Sequence, residues 1–160
     1  MQTICVLNSQ KEFIITPANI KSGLLQVVKN TGLQGRWQQL SAFPKVICDT
    51  AHNKNGLEIV INQIEKEEFE VLHVVLGVVN DKDLNEILPL FPKKAHYYFC
   101  KPNIPRGLEA QQLQQKAATF DLKGAVYNSV SEAYNQATKN ASKSDFIYIG
   151  GSTFVVAEIL

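Results

Sequence analysis

The chain predicts an α/β fold, a mostly parallel sheet with helices on both faces, and two observations carry that prediction. Apolar runs of strand length alternate with segments whose apolar residues recur at helical spacing, the pattern of strand–helix–strand units. The run 73–79, HVVLGVV, is apolar almost throughout, as a central strand covered on both sides requires. With 160 residues, 45% hydrophobic and 19% charged, the chain has the composition of a globular domain with its own core.

Taken in order, residues 12–16, EFIIT, suggest a short strand. Thr16 followed by Pro17 is a helix start, a hydroxyl N-cap before a proline at the first helical position. Ile20, Leu24, Val27 and Val28 then share one helical face, and Gly32 supplies a C-terminal stop. Residues 1–34 are therefore expected to form a strand-plus-helix lead-in. From residue 35 the alternation is regular. Strands are predicted at Lys45–Asp49, Val71–Val78, Tyr97–Lys101, Ala125–Tyr127 and Phe146–Gly150. Helices are predicted at Gly56–Glu67, with the stripe Leu57, Val60, Ile61, Ile64, and at Leu84–Phe91, Glu109–Phe120 and Ser131–Asn140. A last helix begins near Ser152 and reaches residue 160 without a cap or polar tail, so the chain is expected to be a segment of something longer. The one loop dense in breakers is 102–107, PNIPRG.

Composition narrows the function classes. The net charge is +1, and no basic cluster is interleaved with aromatics, so neither nucleic acid nor an anionic membrane is an expected partner. No apolar run approaches ~18 residues, and Met1–Cys5 lacks a signal-peptide pattern. Cys5, Cys48 and Cys100 are odd in number and widely spaced, which fits reduced thiols in a cytoplasmic protein. Cys48 and Cys100 lie in apolar runs and read as core residues. His52, His73 and His96 have no metal-ligand spacing with them.

Open parallel sheets bind ligands beyond the carboxyl ends of their strands, so the strand tips carry the chemistry. Asp49 ends the first predicted strand. Its carboxylate suits ribose hydroxyls, and equally suits capping the next helix. His52 reads first as a loop histidine bonded to local backbone, with a switchable donor near phosphate or carboxylate as the alternative; Asn53 reads as an N-cap. Arg36, in Gly35-Arg36-Trp37-Gln38, precedes an α/β unit and has the guanidinium fork that clamps phosphate oxygens. Alone that signal is weak, since most arginines are solvated surface residues, and Trp37 reads as a packing anchor. Gly150-Gly151-Ser152 lets backbone approach a ligand, a turn common in this fold class. Asp81-Lys82-Asp83 reads as a solvated turn and helix start. The sequence holds no G-x-x-x-x-G-K-[ST] phosphate loop, no G-x-G-x-x-G fingerprint and no G-x-S-x-G nucleophile elbow.

The order of these pieces resembles the folylpolyglutamate synthases of the Mur ligase superfamily. The resemblance rests on Ile20–Leu24, then Thr31–Gln38 containing G-R-W-Q, then Asp49-Thr50-Ala51-His52-Asn53. Gly77 with Asp81-Lys82-Asp83, and Gly151-Ser152 before an apolar helix, follow in order. Thr50 stands where the family commonly has Gly, and Gly32-Leu33-Gln34-Gly35 replaces the usual Pro-Gly before the arginine. The resemblance implies a Rossmann-like three-layer sandwich over 35–160, the family's carboxy-terminal domain, with 1–34 ending a preceding ATPase domain and its linker. It implies ATP and Mg²⁺ as cofactors, the metal held mainly by that other domain, and L-glutamate and a folate as substrates. Residues 35–160 would then pair with the amino-terminal ATPase domain of the same chain, in a cytoplasmic monomer, and would be inactive alone. Arg36 corresponds to the arginine that neutralises the ATP phosphates, Asp49 to the nucleotide contact, and His52 and Ser152 to the wall of the nucleotide and glutamate site. Asn53, on the substrate side, and Lys82 are lesser candidates. Two other readings share the topology: a peptidoglycan-precursor Mur ligase domain, and a non-catalytic Rossmann-like nucleotide-binding module.

Overall fold

Strands form where the apolar runs predict them, joined by one more that the runs do not announce. A computed structural model describes residues 2–10 and 14–160, and its six strands make one sheet in the order β1-β2-β6-β3-β4-β5. The strands are β1 (Gln38–Ala42), β2 (Lys45–Cys48), β3 (Leu72–Leu76), β4 (His96–Phe99), β5 (Gly124–Val126) and β6 (Phe146–Gly150). All neighbours are parallel except β1, which runs antiparallel to β2 through a tight turn at Phe43-Pro44. The two central strands β3 and β6 are buried at every residue, as strands covered on both faces must be.

Helices follow the strands in turn: α4 (Lys54–Ile64), α5 (Leu84–Ile87) with a short 3-10 turn at Leu88–Leu90, α6 (Ala110–Ala118), α7 (Val130–Asn140) and α8 (Thr153–Ala157). One face of the sheet packs Ile47, Val74, Leu76 and Tyr148 against Leu57, Ile61 and Ile64 of α4 and Leu113 of α6. The other packs Cys48, Val75 and Ile149 against Ala133 and Ala137 of α7 and Val155 and Val156 of α8. This three-layer arrangement is the one expected from the sequence. The connections β2→β3, β3→β4 and β4→β5 lie on the first face, and β5→β6 returns across the second. The tips of β2 and β6 therefore feed helices on opposite faces, and the crevice between such tips is where ligands bind in open α/β sheets.

The chain divides into two compact units, Met1–Gln34 and Gly35–Leu160. The first contains α1 (Gln2–Ser9), α2 (Pro17–Leu25) and α3 (Val27–Thr31). Thr16 caps α2 in a reciprocal box with Asn19, and Gly32 ends α3 in the left-handed region at φ 67°, both as predicted. None of these helices has a buried residue, and Leu24 and Val28 of the predicted apolar stripe are exposed. Of the predicted strand 12–16, residues 12 and 13 lie outside the described residues, and Ile14–Thr16 have no regular structure.

Candidate functional site

The tip of β2 is sewn to the turn that enters β1. Gly35 and Trp37 take positive φ, 68° and 44°, an arrangement a bulky residue adopts only when its surroundings hold it. Three bonds do so. Asp49 Oδ2 accepts from the Trp37 N–H at 2.6 Å, the Thr50 N–H donates to the Gly35 carbonyl at 2.9 Å, and Gln38 Oε1 accepts from the Gly35 N–H at 2.7 Å. The indole packs on the core beside Phe146, so Trp37 is the anchor the sequence suggests, while Arg36 between the two is exposed. Asp49 does not cap the next helix, as its place at a strand end had suggested. Its other oxygen accepts from the Ala51 N–H at 2.8 Å, and α4 is capped by Asn53, whose Oδ1 accepts from Gly56 N–H at 2.9 Å. Asp49 is buried, and each of its oxygens already holds one backbone donor, which leaves further lone pairs for a ligand hydroxyl.

His52 stands between two cavities. One, of ≈ 260 Å³, includes Arg36, Asp49, His52 and Asn53 in its lining. The other, of ≈ 300 Å³, is lined by His52, Asp81, Lys82, Arg106, Ser152 and Thr153, with Val79 and Phe154. Arg36, Asp49 and His52 thus share one hollow and His52, Lys82 and Ser152 the next; Arg36 and Ser152 share neither. His52 Nδ1 lies 2.9 Å from the Thr50 carbonyl. A carbonyl only accepts, so Nδ1 carries the proton and Nε2 is the ring nitrogen available to a ligand. Ser152 is buried at the start of α8, its Oγ accepting from the Phe154 N–H at 3.2 Å, which leaves its own hydroxyl proton to donate.

Arg106 belongs to the site and was not among the residues expected there. The 102–107 loop folds back beside the β3 tip: Asn80 N–H donates to the Arg106 carbonyl at 2.9 Å, and Leu108 N–H to Val78 at 3.0 Å. The guanidinium lies 5.0 Å from the Phe154 ring centroid and 3.5 Å from Asp81. An arginine between Pro105 and Gly107, in a breaker-rich loop past a strand tip, is the only sequence signal that marks it. With two cations, Arg106 and Lys82, against the single carboxylate of Asp81, this cavity favours an anionic ligand. The neighbouring thiols are inert: burial, with the Asp49 charge adding to it, pushes Cys48 up to about 11, and burial pushes Cys100 up to about 12. Among the described residues no group of three or more His, Cys, Asp or Glu is placed to hold a metal ion, and no helix is long and apolar enough to cross a membrane.

With this geometry in view, residues 35–153 match the family described as Mur ligase, glutamate ligase domain. The chain is 30% identical over 135 residues to a dihydrofolate synthase/folylpolyglutamate synthase of Buchnera aphidicola subsp. Acyrthosiphon pisum, covering 83% of this chain and 32% of that protein. It is 29% identical over 144 residues to the protein of the same name in Escherichia coli, covering 88% of this chain and 32% of that one. Among solved structures it resembles E. coli FolC in complex with DHPP and ADP, with a TM-score of 0.81 and 26% identity over 92% of this chain and 34% of that one. The bifunctional folylpolyglutamate synthase/dihydrofolate synthase of Yersinia pestis CO92 follows, with a TM-score of 0.77 and 27% identity over 92% of this chain and 34% of that one. The chain spans about a third of the length of these relatives, and 16% of a longer one from Haloferax volcanii.

Proposed function

The chain belongs to the Mur ligase, glutamate ligase domain family, and we propose that it is the amino-acid-accepting domain of an ATP-dependent ligase that adds L-glutamate to a folate. The observation that carries this reading is the pair of cavities sharing His52 at the β2–β6 switch point. One presents Arg36 beside Asp49, the other presents Lys82, Arg106 and Ser152.

The chemistry suits those residues. A folate carboxylate oxygen attacks the terminal phosphorus of ATP, ADP leaves, and an acyl phosphate forms. The amine of glutamate then attacks the acyl carbon, phosphate departs, and the amine loses a proton as the amide forms. Arg36 on its clasped turn offsets charge on the phosphates, where a fixed guanidinium needs no reorganisation as charge develops. Asp49 has lone pairs left for a ribose hydroxyl. Lys82, Arg106 and the Ser152 hydroxyl receive the carboxylates of glutamate, and His52 Nε2 adjoins both ligands. Mg²⁺ and the triphosphate cradle belong to an ATPase domain, of which residues 1–34 are the end and the linker. Closure of the two domains keeps water from the acyl phosphate. That the E. coli and Buchnera relatives are dihydrofolate synthase/folylpolyglutamate synthases, and that E. coli FolC forms a complex with DHPP and ADP, supports folate over a peptidoglycan precursor and a working ligase over a non-catalytic module. The protein works in the cytoplasm as a monomer.

In the ligase that carries this domain, Arg36→Ala and His52→Ala fold normally and lose glutamate addition by about 10²–10³ in rate. Arg106→Ala raises KM for L-glutamate more than it lowers kcat. Turnover measured with dihydropteroate, folylmonoglutamate and a peptidoglycan precursor identifies the acceptor. Near-normal turnover by both Arg36 and His52 variants overturns the site, and turnover on the peptidoglycan precursor alone overturns the substrate.

A further inference from the structure

Tyr148 is the central residue of β6, fully buried, and its hydroxyl has no hydrogen-bond partner among the described residues. The side chain runs toward the carboxyl end of the strand. Gly150 lies two residues on, and so on the same face of the sheet. A Cβ built on Gly150 would fall on Tyr148 Oη and would stand 3.0 Å from the carbonyl oxygen of Asp49. The phenol therefore fills the space a side chain at position 150 would take. Its hydroxyl reaches the underside of the site, between the Asp49 turn and the Gly150–Ser152 turn. Burial first, then the nearby Asp49 and Cys48, push the phenol well above its ordinary range, so the group is a proton donor at any physiological pH.

Folding of the domain gives no reason for that hydroxyl. Its neighbours on this face, Ile47, Leu57, Leu76 and Phe146, are apolar, and a phenylalanine would fill the same space without enclosing an unsatisfied donor. An enclosed polar group without an acceptor is unfavourable, and native proteins keep few of them without a functional reason. The nearest site element is the Asp49 turn, the same turn whose carboxylate holds Trp37 and so presents Arg36.

We infer that Tyr148 is a positioning residue whose hydroxyl takes its partner, the Asp49 backbone carbonyl, only when nucleotide occupies the Arg36–Asp49–His52 cavity. The inference rests on the nucleotide reading above. It makes the Asp49 turn tighter in the loaded site than in the empty one, by a bond made on binding.

The test is Tyr148→Phe in the ligase that carries this domain, with ATP and Mg²⁺ as the probe. Without ATP, Tm stays the same or rises, because an unpartnered hydroxyl is removed. The rise in Tm on adding ATP shrinks, and KM for ATP increases three- to ten-fold, the loss of one neutral hydrogen bond, with kcat much less affected. A fall in Tm without ATP overturns the inference, since the hydroxyl would then be bonded in the empty domain. So does an unchanged ATP response and KM in an enzyme whose wild type responds normally. A wild type with no response to ATP overturns the nucleotide reading itself, and with it this inference, and the wild-type arm alone reveals that.

Discussion

Asp49 does its first work on the backbone. By accepting from Trp37 and Ala51 it fixes two turns at once, so the G-R-W-Q and D-T-A-H-N motifs form one object rather than two. Gly35 is the weak point of that object. Its φ of 68° disfavours any side chain, and an added Cβ would meet Thr50 Cγ2 at 2.8 Å and Val156 Cγ1 at 3.0 Å. Neither neighbour is the loose end of a flexible chain, because Val156 is buried in the core. Gly35→Ala is expected to destabilise by about 1–3 kcal/mol in urea unfolding, and to displace Arg36 so that turnover falls more than stability accounts for. Gly23 is the control: it sits in α2 with open space around it. Gly23→Ala should be neutral or stabilising by roughly 0.5–1 kcal/mol, the ordinary difference between these residues inside a helix.

At the scale of elements, α4 ties site to core. Asn53 caps it, and Leu57, Val60, Ile61 and Ile64 are buried along one stripe. Asn53→Ala is expected to lower stability by about 1 kcal/mol, whereas Leu57→Ala, with no exposure at all, should lower it by about 2–5 kcal/mol. Comparing the two by chemical denaturation separates cap from core. This helix was legible because periodicity, cap and burial agree, and the same agreement marks β2, β3, β4 and β6. Where they disagree, the sequence is silent. The segment of β1, QQLSA, is half exposed and has no alternation; it becomes a strand because it pairs with β2, not because of its own residues. Helix α1 has no buried residue, hence no apolar stripe strong enough to read. Arg106 hides in a run of turn residues, and only the pairing of Val79 with Gly107 brings it to the site. Likewise, a carboxylate at a strand end suits a cap and a clasp equally. Choosing between them needs the position of Trp37, twelve residues away in sequence.

Across the whole sheet, the two ends do different things. The carboxyl ends gather the site, while the amino ends hold a buried polar relay. His73 on β3 lies with Nδ1 2.9 Å from Tyr98 Oη and Nε2 3.4 Å from Asp145 Oδ2, and Asn140 of α7 donates to Tyr98 Oη at 3.0 Å. One proton arrangement satisfies every member: Asn140 donates to Tyr98, Tyr98 to Nδ1, and Nε2–H to Asp145. That arrangement needs neutral His73, since a second ring proton would leave the Tyr98 hydroxyl without its acceptor. Burial pulls His73 below its ordinary value of 6.5 despite the raising influence of Asp145, and His96, with its ring 5.5 Å away, adds to the lowering. Burial acts to raise Asp145, but bonds from Ser142 and His73 outweigh it and hold the carboxyl below 3.8. The sign follows for each group. Above pH 6.5 both folded and unfolded chains keep this histidine neutral and its contribution is complete. As pH falls below 6.5 the unfolded chain takes a proton that the folded chain refuses, so stability declines. Below about pH 3.8 the unfolded carboxyl protonates before the folded one, and a second decline adds to the first. The Tm of the domain should therefore be level just above pH 6.5 and drop on acidification in these two windows. In a histidine NMR titration, the resonance of His73 should titrate below 6.5. Replacing His73 with Gln, which binds no proton in this range, should remove the decline that sets in below pH 6.5 and shrink, without abolishing, the one below 3.8, because the Ser142 bonds to Asp145 remain. A slope unchanged by that replacement would assign the upper decline to other groups.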